Sequence, residues 1–108
     1  MMRARLCIAR ASMNLLTLEH FAGCLNETFL ADMQGMEAAF VLVEVKPLQG
    51  SLQGSHRAPF SLLFHNGSPV LFPQQTYRLR HPALGELGIF LVPVAQNRDG
   101  FVYQAVFN

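Results

Sequence analysis

Thr76-Tyr-Arg-Leu-Arg-His-Pro-Ala-Leu-Gly-Glu-Leu-Gly-Ile-Phe-Leu-Val-Pro-Val94 is the stretch whose reading decides the fold. Over Thr76–His81 the side chains alternate, with Tyr77 and Leu79 set against Thr76, Arg78 and Arg80. Period-two alternation marks a strand with one buried face. Pro82 cannot donate to a sheet ladder and ends the strand, and Ala83-Leu84-Gly85 turns the chain. Leu87–Val94 is then a second, more apolar strand. Gln96-Asn-Arg-Asp-Gly100 leads into a third, Phe101–Phe107, and Asp99-Gly100 is a hairpin signal because glycine takes positive φ freely.

The same reading extends upstream. Ala58–His65 is a strand with Phe60, Leu62 and Phe64 on one face, followed by an Asn66-Gly-Ser-Pro69 turn. Val70-Leu-Phe-Pro73 extends or bends the sheet as an edge or bulge, since Pro73 lacks a donor. Glu27–Met33 places Phe29, Ala31 and Met33 inward, and Gln34-Gly35 turns into Met36–Lys46. In that strand, expected to be the longest, Ala39, Val41, Val43 and Val45 form a continuous apolar side, while Phe40, Leu42, Glu44 and Lys46 grade from apolar to charged, so it reads as covered on both faces at its start and wet at its end. Pro47–Ser55, with two Gln-Gly steps, reads as the most mobile loop. Near the N-terminus, Thr17 caps a helix of about two turns, with Leu18, Phe21 and Leu25 on one face and Gly23 as its stop. So short a helix needs an apolar support, and it reads as a lid over one end of the sheet. Six short, regularly spaced strands and one helix predict an all-β fold, a compact antiparallel six-stranded barrel or roll.

The chain has 108 residues, enough for one domain and one core. Apolar residues make up 51% and charged residues 14%, which sets it apart from disordered chains and leaves apolar area for a partner. Arg3, Arg5 and Arg10 give residues 1–12 a charge of +3, while residues 13–108 carry five basic and seven acidic side chains, or −2. Residues 1–12 therefore read as an extension before a start at Met13, or as a disordered basic arm, with 13–108 as the single all-β domain. A mildly acidic body lacks the basic footprint that nucleic-acid binding needs. Leu6–Ala9, interrupted by Arg10, is too short for a signal peptide's apolar core, and no apolar run reaches spanning length. Cys7 and Cys24, the latter placed in the short helix, form no Cys-x-x-Cys motif, so reduced thiols and a cytoplasmic location are expected.

Residues able to do chemistry are scattered. His20, His56, His65 and His81 show no metal-ligand spacing, although a zinc site assembled from distant strands stays open. His81, before a proline turn, is explained by a ring hydrogen-bonded to backbone. Asp32, Glu37 and Glu44 straddle the first hairpin, and Glu86 and Asp99 lie in turns, with no opposed acid pair in view. Ser61 lacks a nucleophile-elbow context and reads as a hydroxyl on the outer sheet face. Arg78 and Arg80 share one strand face, with Arg57 in a nearby loop. They form either a docking patch or cross-strand pairs with Glu37 or Glu44.

Leu16-Thr-Leu-Glu-His-Phe21, Ala58–Phe64, Pro73–Gly85, Phe90–Val94 and Tyr103–Asn108 together resemble the DUF6916 family of small bacterial domains of unknown function. The likeness runs from about Met13 to the C-terminus and is most specific in the second half. It implies no known activity, catalytic residue or cofactor, and it suggests association with phage-tail-like or tail-collar proteins. The expectation is a non-enzymatic structural or adaptor domain that binds another protein, with Phe72, Arg78, Arg80 and His81 as candidate partner contacts. No catalytic residue, metal or cofactor is expected, no membrane partner, and self-association stays open. The alternatives are an Sm-like nucleic-acid module and a small-ligand-binding barrel.

Overall fold

The computed structural model describes residues 16–33, 35–48 and 59–107. One helix, α1 (Leu18–Ala22), precedes six strands: β1 (Thr28–Met33), β2 (Met36–Pro47), β3 (Phe60–Asn66), β4 (Gln75–His81), β5 (Gly85–Asn97) and β6 (Gly100–Phe107). They form a closed antiparallel barrel in the order β1-β2-β3-β6-β5-β4. The expected all-β barrel with a short helix is the observed architecture. The basic extension through residue 12, Arg57 and the Gln-Gly segment of the mobile-loop reading lie outside the described residues.

Alternation fills the barrel as the sequence suggests along β1, β3 and β4, where Phe29 and Ala31, Phe60, Leu62 and Phe64, and Tyr77 and Leu79 are buried. β2 differs. Ala38, Phe40 and Leu42 are its core positions, and the continuous apolar side of Ala39, Val41 and Val43 faces out until a bulge intervenes, so the start of the strand is covered on one face and not on both. The register runs Leu42↔Phe64 and then Glu44↔Leu63, so Val43 is the extra residue and is exposed. A bulge reverses the inward phase, which is why Val45 packs against the core although Val43 does not. β5 carries a matching irregularity between Pro93 and Ala95. Pro93, which lacks a donor, is accommodated there, and the extra residue is again an exposed valine, Val94. Bulges of this kind bend long strands, and a closed barrel needs that curvature.

The two ends of the barrel are closed differently. At one end α1 runs from the N-cap Thr17 to the C-cap Gly23. The Thr17 N–H donates to His20 Nδ1 at 2.9 Å, which satisfies one of the donors that a helix start leaves open. Phe21 is fully buried and meets Phe29, Phe60 and Phe107 at centroid distances of 6.4, 5.9 and 5.5 Å. Leu25, expected on the same face, lies beyond the helix and is exposed. Cys24 also lies past the helix. It is buried and disulfide-bonded, so the expectation of a reduced thiol does not hold there, because sequence spacing is blind to pairing between distant positions. The chain's other cysteine, Cys7, is outside the described residues.

At the opposite end Val70–Pro73 forms no strand and crosses the barrel mouth as a strap. The Phe72 N–H donates to the Tyr103 hydroxyl at 3.0 Å, and the Tyr77 hydroxyl donates to the Pro73 carbonyl. The Phe72 ring lies 6.1 Å from Phe40 and 6.3 Å from Tyr103. Asn66 anchors the start of this segment: Nδ2 donates to Ala39 O at 2.8 Å, and Oδ1 accepts from Ser68 N–H at 2.9 Å. Gly100, at φ +137°, passes so close that a Cβ built there would lie 2.1 Å from Asn66 O. Only glycine fits this approach.

Candidate docking groove beside the β1–β4 seam

Most ladders of the barrel run six or seven pairs, as β1–β2 and β4–β5 do. The ladder that closes the barrel has two, Leu30↔Arg80 and Ala31↔Leu79. Beyond Leu79 the strands separate. Among the described residues, Gln75–Arg78 of β4 have a β5 partner on one side and no β1 partner on the other. A groove of about 410 Å³ occupies the separation. Met33, Met36, Ala38 and Phe72 give it an apolar lining, and Asp32 and Arg78 lie at its charged margins. Met36 is 65% exposed, and Val70 and Leu71, next to Phe72, are 56% and 53% exposed.

The four expected contact residues separate into two groups. Phe72 and Arg78 both line the groove. Arg78 is exposed and makes no ion pair among the described residues. Arg80, two residues on, is engaged by Glu37 Oε2 at 2.6 Å and Asp32 Oδ1 at 3.4 Å. Its guanidinium is held above its ordinary value chiefly by the Glu37 hydrogen bond. Desolvation works against that, and the charges of Asp32, Glu37 and Glu86 add to it. This is the cross-strand pairing foreseen with Glu37. His81 is buried and shares the inward face of β4 with Tyr77 and Leu79, as period two requires.

Both ring nitrogens of His81 are occupied. Nδ1 accepts from the Ala83 and Leu84 N–H groups at 3.0 and 3.3 Å, and Nε2 is 2.7 Å from Glu27 Oε1. Two backbone donors on Nδ1 place the ring proton on Nε2, which donates to the Glu27 carboxylate. This is the backbone-bonded ring the sequence suggested, with an added carboxylate. Cys24, Glu27 and His81 bring their ligand atoms within 4.8 Å of one another. The set does not suit a metal. The Cys24 sulfur is in a disulfide, and a cation on Nε2 would require an imidazolate, because Nδ1 is already an acceptor. The cluster is a brace joining the turn before β1 to the end of β4. Ser61 alternates outward on β3 but is 4% exposed, so it is no surface hydroxyl.

The sequence did not disclose the groove. Its two walls are 40 residues apart in the chain, and no local pattern says where a closing ladder stops. The only hint was the pair Met33 and Met36 flanking the Gly35 turn. The family description "Domain of unknown function (DUF6916)" matches residues 16–107, which spans α1, all six strands and the groove. The chain belongs to this family. No curated protein and no solved structure matches it. Among the described residues of this DUF6916 domain, no helix is long and apolar enough to cross a membrane.

Proposed function

We propose that this domain is a non-enzymatic structural or adaptor domain that binds another protein, with the groove beside the β1–β4 seam as its docking surface. The observation that carries the reading is the combination found there. An apolar concavity meets, in one place, an exposed cation and a strand edge that have no acid partner and no ladder partner among the described residues. Interaction sites use apolar anchors within a polar rim. Several chemically capable groups elsewhere serve the fold: His81 holds Glu27, Arg80 holds Glu37, and Tyr77 and Tyr103 hold the strap. Rings meet inside the barrel, Phe40 with Tyr103 and Phe29 with Phe64, both at 5.4 Å, which favours a filled core over a ligand chamber. The assembly we propose for it is phage-tail-like or a surface assembly, in keeping with the family resemblance.

A photo-crosslinking side chain placed at Met36 and, separately, at Val106 on β6 tests the surface. A discrete heteromeric adduct from Met36 and none from Val106 is expected. Equal adducts at both positions, or none at Met36, would refute the assignment.

A further inference from the structure

We infer that the occupant of the groove is an extended segment of another protein, added as a strand to the free edge of β4 and carrying an acidic side chain opposite Arg78. The inference rests on the proposed docking role and specifies its mode and partner chemistry. Gln75–Arg78 is about 13 Å of edge at the usual rise of a strand. β5 fixes its conformation through Gln75↔Leu91 to Arg78↔Gly88, so the edge is already extended and needs no ordering when a strand arrives. Main-chain hydrogen bonds to such an edge supply affinity, and alternate side chains supply specificity.

The faces of β4 determine which side chains those are. Tyr77 and Leu79 point inward, and Thr76 and Arg78 point outward. A residue paired directly opposite Arg78 stands on the same outer face, within reach of the guanidinium. Arg80 is committed to Glu37 and Asp32, so among the described residues of the groove Arg78 is the cation left for an incoming carboxylate. The residues one and three places further along that strand, opposite Tyr77 and Gln75, turn inward over Met33, Met36 and Phe72, since the place opposite Leu79 is held by Ala31. Methionine adapts to varied apolar shapes, so these positions select for apolarity more than for one side chain. The edge therefore reads an acidic residue with apolar residues one and three places to one side of it.

Panning a random twelve-residue peptide display library on the immobilised full chain tests this. The expected result is enrichment of proline-free sequences with an acidic residue and apolar residues one and three places to one side of it. A synthetic peptide of the enriched consensus should lose affinity about five-fold or more against Arg78→Glu. Lysine in place of its acid should restore affinity to that variant. Methylation of alternate backbone nitrogens should abolish binding, and an unchanged melting temperature for Arg78→Glu confirms that the fold is intact. No enrichment overturns the inference, as do binders indifferent to both Arg78→Glu and N-methylation, or a dimer of the chain that occupies the edge without peptide. A specific Met36 crosslink combined with no peptide enrichment would retain the docking surface and reject the strand mode.

Discussion

The helix-covered end and the strap-covered end of the barrel do the same topological job by different means. Beneath α1 the closure is by ring packing. Phe60 and Phe107 stack at 4.7 Å with 5° between their planes, and Phe21 lies on both. Beneath the strap the closure depends on individual hydrogen bonds from Phe72, to Pro73 and around Asn66, with a half-buried ring above them. Packing loses energy in proportion to what is removed, whereas a strap fixed at a few points can open locally while the sheet stays folded. The groove is at the strap end, where local adjustment costs less.

The largest effect is expected from Gly100→Ala. The added carbon would collide with Asn66 O in a backbone conformation that alanine disfavours, at a cost of about 3–5 kcal/mol. Urea unfolding should show a variant that is mostly unfolded or whose midpoint is greatly reduced. Phe21→Ala should cost nearly as much, about 3–4 kcal/mol, because its ring is fully buried at the packed end. Phe72→Ala should cost less, about 1–2 kcal/mol, and should speed amide hydrogen exchange at the strap before it speeds exchange in β3 or β6. Equal losses for Phe21→Ala and Phe72→Ala would erase the distinction between the ends.

A smaller effect belongs to Tyr77. Burial, and secondarily the neighbouring Tyr103, raises its phenol above the ordinary value of 10.0. The folded state therefore holds this proton more tightly than the unfolded chain. The resulting stabilisation is complete below about pH 10 and is lost as pH rises through the elevated folded value. Unfolding measured above pH 10 should show stability falling with pH, and Tyr77→Phe should flatten that slope while losing about 1 kcal/mol for its bond to Pro73. The smallest change is expected from Arg80→Gln, a urea midpoint close to that of the parent chain, since its ion pairs are solvent-exposed.

Much of this architecture was legible in the chain because β3 and β4 obey strict alternation and Gly35, Gly85 and Gly100 mark turns, each with positive φ. The phase of β2 was not. Four alternating small apolar residues, Ala39 to Val45, imitate a core face, and only the bulge at Val43 shows that Phe40 and Leu42 hold that role. β5 outran its expected end at Val94 because Gln96 and Asn97 continue the ladder with β6 despite their polarity. Of the groove lining, Phe72 and Arg78 could be named from the sequence. That they share one groove, while Arg80 is engaged and His81 buried, depends on pairings between distant strands.

The two-pair closing ladder also bears on the order of folding. Leu30 and Arg80 are 50 residues apart in sequence, so bringing them together forfeits more chain freedom than forming the β4–β5 or β5–β6 hairpin. Two pairs return little for that loss. We expect the β1–β4 contact to form last as the chain folds and to separate first as it unfolds, with a curled open sheet as the neighbouring state. A barrel that closes so late is, for part of its lifetime, a sheet with a vacant edge.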